Sequence, residues 1–307
     1  MRKVLLTSTA LVALGVSAAS AADISISGNS TFNYKSISDS NVYSGAADGN
    51  SMSIGGELYV TSTATSDSGM TYTTSIDAAN GDEAVLTVSA DFGKVSIKQD
   101  EGGDGDAAAM SGDVAADETT SITSVKFDGD EAVAGGMVSY ASPSISGANI
   151  YAGYSDGGAN NSDATTSFGI KYATEAAGAS VTLGYAASSA DNGYDATSYG
   201  VKVSANGLAV TLAANGKEDA DESYEGTSIG LTYTVSDAMA VQVHSKNAED
   251  SKNSNYDYSE SAISATYTIA SGLTSAITYT NFEYNDGTDA VKDNSGSATN
   301  IELKVAF

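Results

Sequence analysis

Every other residue changes character along most of this chain, and that period of two restricts what the chain can fold into. Ile24, Ile26, Gly28, Ser30, Phe32 and Tyr34 share one parity; Ser25, Ser27, Asn29, Thr31, Asn33 and Lys35 share the other. The alternation returns over 52–60, 168–172, 181–185, 199–203, 208–212, 229–235, 263–269 and 301–307. Side chains of an extended strand point to opposite faces in turn, so each segment has one apolar and one polar face. Helical spacing is almost absent.

The connections between these segments alternate in length. Short turn signals fall at 66–69, 91–93, 142–147, 174–178, 205–207, 236–238 and 270–272. Between them lie mostly longer, polar connections at 35–50, 80–83, 99–132, 156–164, 188–195, 216–223, 247–256 and 285–297. Seven of one kind and eight of the other imply about sixteen antiparallel strands. The count is least fixed near 121–132, because 121–128 also alternates weakly. Short turns on one side, long loops on the other and an even strand number describe a transmembrane β-barrel. A β-sandwich does not sort its loops by length, and a solenoid needs a fixed repeat that is not present. The fold class expected is therefore all-β, a closed antiparallel barrel.

The faces fit that reading. Glu57, Asp77, Lys94, Lys98, Lys171, Lys202, Glu302 and Lys304 all sit opposite the apolar parity of their own strands. In lipid, a lysine facing outward near mid-bilayer costs roughly 2–4 kcal/mol, so charges belong on the lumenal side. Lys35 is expected on the same wall. Tyr72, Tyr140, Tyr172, Tyr233 and Tyr267 each lie a few residues from a short turn, the placement of an interfacial aromatic girdle. Tyrosine also favours strands for its own sake, which is the plainer explanation.

The first 22 residues read as an export signal rather than as fold. Arg2 and Lys3 precede an apolar run from Val4 to Val16, and small residues follow from Ser17 to Ala22. Cleavage is expected before Ala22 or Asp23, with Asp23 preferred, leaving 23–307 as the barrel. The apolar run is too short to span a bilayer.

Of the 13 basic residues, the signal removes two, Arg2 and Lys3; the remaining 11 are all lysine and face 39 acidic residues, a formal charge of −28. That balance disfavours nucleic acid as a partner. There is no cysteine, so neither a disulfide framework nor a thiolate metal site is available. Acidic, Gly- and Ser-rich composition suits disorder as well, but 18 tyrosines, a single proline and the regular alternation argue for order.

Catalytic chemistry finds no foothold. His244 is the only histidine. It shares the lumenal parity of Ala240 and Gln242, and no nucleophile motif accompanies it. We read no catalytic residue and no required cofactor. Asp100, Glu101, Asp104 and Asp106 could hold Ca²⁺, since hard oxygen ligands lie close together among glycines. The run from Gly102 to Asp106 occurs once, whereas a Ca²⁺ repeat array recurs; a solvated acidic loop is the alternative.

Three pieces of the chain together resemble the Gram-negative general porins, in particular the alphaproteobacterial, Rhodobacter-type ones. They are Asp23-Ile24-Ser25-Ile26-Ser27-Gly28 after the signal, Ala90-Asp91-Phe92-Gly93-Lys94-Val95-Ser96-Ile97, and Tyr140-Ala141-Ser142-Pro143 with Gly147 and Tyr154 beyond. The terminal strand 301–307 ends in Phe307, similar to the family's assembly signal. The resemblance implies an outer-membrane homotrimer embedded in lipid and lipopolysaccharide and inserted by the outer-membrane assembly machinery. It implies passive diffusion of small hydrophilic solutes and no enzymatic activity. It further implies that the third long loop, Gln99 to about Asp130, folds into the barrel as a constriction, with Asp100, Glu101, Asp104, Asp106, Asp113, Asp117 and Glu118 facing the opposite wall. There the family carries arginines, and this chain departs from it. Lys35, Lys98, Lys171 and Lys202 replace them only sparsely. Cation preference is therefore expected. A substrate-selective channel of the same fold and a non-conducting, adhesin-like surface protein are the rival readings.

Overall fold

The computed structural model describes residues 22–39, 49–78, 84–99, 137–155, 164–191, 193, 195–218, 223–250, 256–286 and 294–307. Sixteen strands pass through them. They are β1 (Asp23–Asp39), β2 (Gly49–Thr65), β3 (Thr71–Asp77), β4 (Ala84–Ala90), β5 (Gly93–Gln99), β6 (Met137–Ala141), β7 (Ala148–Ser155) and β8 (Thr165–Ala176), then β9 (Ala179–Ala190), β10 (Asp195–Ala205), β11 (Leu208–Glu218), β12 (Ser223–Ser236), β13 (Met239–Asp250), β14 (Tyr256–Ala270), β15 (Leu273–Asp286) and β16 (Asn294–Ala306). Each pairs antiparallel with the next, and β1 pairs with β16 to close the barrel. Closure leaves no sheet edge, which a β-structure in hydrocarbon requires because lipid cannot satisfy a free N–H or C=O.

The polarity is inverted relative to a soluble protein. Large apolar side chains stand exposed on the outside: Phe168, Ile170, Leu183, Leu212, Leu231, Ile263, Ile277 and Leu303 among them. The largest fully buried side chains are Thr280, Asp77 and Ser139. On the inward face hydroxyls meet across strands, Thr61 with Ser75 at 3.1 Å, Thr63 with Thr73 at 3.4 Å and Thr87 with Ser96 at 3.2 Å. Cross-strand hydroxyl pairs of this kind satisfy a face that has no apolar core to bury.

Three of the short turns are two-residue hairpins with both central residues at positive φ: Ser146-Gly147, Ala177-Gly178 and Asn206-Gly207. Their flanking pairs are Ile145 with Ala148, Ala176 with Ala179 and Ala205 with Leu208. This is the type I′ geometry, whose twist matches that of the strands it joins. Asparagine and glycine adopt it readily; Ala177 and Ser146 carry the steric cost of a left-handed residue.

The ladder between first and last strands runs from Asn29 opposite Ala306 to Asp39 opposite Gly296, and a reciprocal pair ends it at the short-turn side. Gly28 N donates to Phe307 O and Phe307 N to Gly28 O, both at 3.0 Å. A Cβ at position 28 would lie 2.5 Å from Glu57 O and 3.0 Å from the Phe307 ring. Only glycine allows β2 and the terminal aromatic to approach so closely.

Most strands run further than the alternation indicates. Segment 35–50 contains the ends of β1 and β2, so Lys35 is a strand residue opposite Asn300 and Ser51. The segments 188–195, 216–223, 247–256 and 285–297 are shortened in the same way. At these ends both faces are polar, as in Lys246 beside Asn247 or Asn294 beside Ser295. The side-chain pattern fades, while the backbone ladder, which needs no side chain, continues. The export signal, apart from Ala22, and the weakly alternating 121–128 lie outside the described residues.

Candidate functional site

The wall of the barrel is the site. Lys171 stands between Asn149 and Gly184, and Lys202 between Thr182 and Thr211, two strands apart on the inward face. Asn29 donates to Glu57 Oε2 at 2.8 Å. Asp77 lies opposite Tyr59 and is 1% exposed. Lys98 lies one residue before the end of β5, between Val85 and Met137. Lys35, Lys98, Lys171 and Lys202 therefore lie on β1, β5, β8 and β10. They are spread around the wall and do not form one cationic cluster.

Among the described residues with described side chains, the inward parity carries Lys35, Lys94, Lys98, Lys171, Lys202, Lys246 and Lys304. Against them stand Asp23, Glu57, Asp77, Glu175, Glu260 and Glu302. The strand wall is nearly balanced in charge. Much of the acidity lies elsewhere, part of it on an outward collar above the apolar band. There Glu225 opposes Glu249, Glu249 opposes Asp257, and Asp195 opposes Glu218. Asp100, Glu101, Asp104, Asp106, Asp113, Asp117 and Glu118 lie outside the described residues, as does the Ca²⁺ site proposed on four of them. No group of carboxylates and histidine able to hold a metal ion occurs among the described residues.

Tyr72, Tyr140, Tyr172, Tyr233 and Tyr267 all stand on the outer face, 36–50% exposed, near the short-turn end of their strands. Tyr140 also donates to Phe92 O in the adjacent turn at 2.7 Å. A second outward row was not legible from turn proximity. Tyr185 and Tyr199 face each other across β9 and β10, and Tyr279 stands on β15, each the last large apolar residue before the polar collar.

The wall also holds a group that single-strand parity does not disclose. On β13 and β14, His244 Nε2 lies 2.8 Å from Glu260 Oε1, and the Tyr258 hydroxyl donates to Glu260 Oε2. Lys246 is the direct cross-strand neighbour of Glu260. All four face inward and are 3–5% exposed, with Phe282 on β15 beside Glu260. Single-strand parity shows His244 only as a lone lumenal side chain. Its partner is found only once the register brings two inward parities, 16 residues apart, onto the same patch.

A Gram-negative porin family model matches residues 7–287. No curated protein sequence matches the chain. Among solved structures, a porin refined at 1.8 Å superimposes with a TM-score of 0.65 at 14% identity, covering 93% of this chain and 100% of that one. OmpT, an outer membrane protein of Vibrio cholerae solved in a trimer form, gives 0.62 at 15% identity over 94% and 100%. A mutant of Rh. blastica porin gives 0.62 at 15% identity over 93% and 100%. At such identities the structures speak for the fold, and the family model speaks for descent.

Proposed function

Because the chain belongs to the Gram-negative porin family, and so forms an outer-membrane channel for passive diffusion of small hydrophilic solutes, we propose that this channel prefers cations and works as a homotrimer. The charge distribution supports the preference. The strand wall is close to neutral, whereas the connection between β5 and β6 carries Asp100, Glu101, Asp104, Asp106, Asp113, Asp117 and Glu118 with Lys126 alone opposing them before Asp130. A connection of that composition folded into the lumen makes an acidic constriction, and charge of one sign at a constriction concentrates counter-ions and repels co-ions. The trimer form of OmpT supports the assembly. No reaction is required of any residue, since permeation runs down a gradient.

Neutralising Asp100, Glu101, Asp104 and Asp106 together, as Asn and Gln, is expected to move the reversal potential in a KCl gradient toward zero. The wild-type preference should shrink as salt rises, because the screening length falls from roughly 30 Å at 0.01 M to about 3 Å at 1 M. An anion-selective wild type, or a quadruple variant with unchanged selectivity, would remove these carboxylates from the constriction.

A further inference from the structure

We infer that the upper half of β2 docks against a second copy of this chain, with Met52 and Ile54 in the contact and the unpaired edge of β2 shielded from lipid by it. The inference rests on the homotrimer proposed above and adds which face of the barrel the copies share.

Closure joins all sixteen strands, but not over their whole lengths. β2 pairs with β1 from Gly49 to Thr63, whereas its pairing with β3 begins only at Tyr59. β3 ends at Asp77 and β4 begins at Ala84. Residues 78–83 cannot climb beside 49–58 and return, since an extended residue advances only about 3.3 Å. Leu58 O accepts from Ala78 N at 2.6 Å, and residues two apart on a strand direct their backbone groups to the same side. The N–H and C=O of Met52, Ile54 and Gly56 therefore point to the β3 side. Among the described residues no strand meets them there.

That edge lies at the depth of the apolar band. Ile54 is opposite Phe32, which is opposite Leu303; Met52 is opposite Tyr34, which is opposite Ile301. Lipid offers no hydrogen bond at that depth, and an open sheet edge facing it is not tolerated. Met52 is 72% and Ile54 77% exposed, the highest values among the large apolar side chains described. Edge strands left free in water are guarded by lysine or proline, and 49–58 has neither.

A second barrel answers these requirements. Its apolar outer wall fits Met52 and Ile54 and keeps lipid away, while water on the lumenal side, where Ser51, Ser53 and Glu57 are exposed, hydrates the edge. OmpT, which shares the fold, is solved in a trimer form. Copies in one membrane orientation have their β2 strands running the same way, so β2 cannot pair antiparallel with its own equivalent. The contact is therefore heterologous, and such contacts close into rings.

The chain has no cysteine, so one introduced cysteine takes one bimane label. Met52→Cys and Ile54→Cys report on the contact, and Leu212→Cys reports on the far wall. Each labelled full-length protein is refolded into bilayers with and without brominated lipid, and its mass is read by native electrophoresis. The expected result is an oligomer in every case, with quenching at positions 52 and 54 roughly five-fold weaker than at 212, because the core of a contact is closed to its surroundings. Dissociation on labelling at 52 or 54, with the label at 212 harmless, supports the same contact through its loss. An oligomer quenched as strongly at 52 and 54 as at 212 overturns the inference and leaves the trimer standing. Monomers in every case overturn the trimer and the shared face together; shielding at 54 in a monomer would assign the cover to the same chain.

Discussion

Replacing Leu231 by lysine is expected to cost about 2–4 kcal/mol of barrel stability, while lysine at the adjacent Thr232 costs less than about 1 kcal/mol. The two positions differ only in face. Leu231 points outward between Val210 and Val243, in the middle of an apolar run from Ile229 to Val235. A lysine there has no water within reach except by bending to the interface. Thr232 points into the lumen beside Ala209 and Gln242, half-buried, and a lysine there joins a wall that already carries seven. Urea unfolding of both variants in the same detergent or lipid gives the comparison. Equal losses would mean that the outer surface is not facing lipid.

The second large effect is expected at the seam. Gly28→Val should lower stability by about 1–3 kcal/mol, the usual range for forcing extra carbons into a filled site. Here the backbone oxygen of Glu57 stands 2.5 Å from the new Cβ and cannot yield as a flexible side chain would. Loss of the ring in Phe307→Ala leaves the reciprocal backbone bonds with Gly28 in place. The barrel should then still refold in detergent, while the amount reaching the outer membrane falls. Heat-modified electrophoretic mobility reports folding in vitro, and fractionated membranes report delivery. If Gly28→Val folded as well as wild type, the close approach of Glu57 O and the Phe307 ring to position 28 would not constrain the seam. If Phe307→Ala reached the membrane undiminished, its ring would have no part in assembly.

Both variants show which parts of the molecule are written in the local sequence. Face assignment is local. The alternation from Ile229 to Val235 is a property of seven consecutive residues, and it places Leu231 and Thr232 on opposite faces whatever strands they pair with. The turns are equally local, because Asn206-Gly207 or Asp91-Phe92-Gly93 carries its own backbone preference. Strand ends are not. Where Lys246 and Asn247 or Asn294 and Ser295 are polar on both faces, nothing in the side chains distinguishes ladder from loop, and β13 and β16 extend into segments that read as connections.

The seam and the histidine quartet are less legible still, since each depends on register between strands. Gly28 meets Phe307 across 279 positions of sequence, and its need to be glycine arises from β2 lying behind it. His244 and Glu260 belong to one patch only because Lys246 pairs with Glu260 in β14. A one-residue slip would turn one of the two strands' side chains outward and separate them. The near balance of inward lysines and carboxylates also emerges only when all sixteen parities are laid side by side. It leaves the sign of selectivity to the connections.

Current across a planar bilayer doped with the purified, refolded protein tests the central claim most directly. A barrel of sixteen strands with a polar interior encloses water. It should therefore produce discrete current steps, close to linear in voltage, that grow in proportion to KCl concentration. A folded protein that inserts, as judged by its protease resistance in the same membranes, yet gives no steps above background would contradict the account and leave a closed surface barrel in its place.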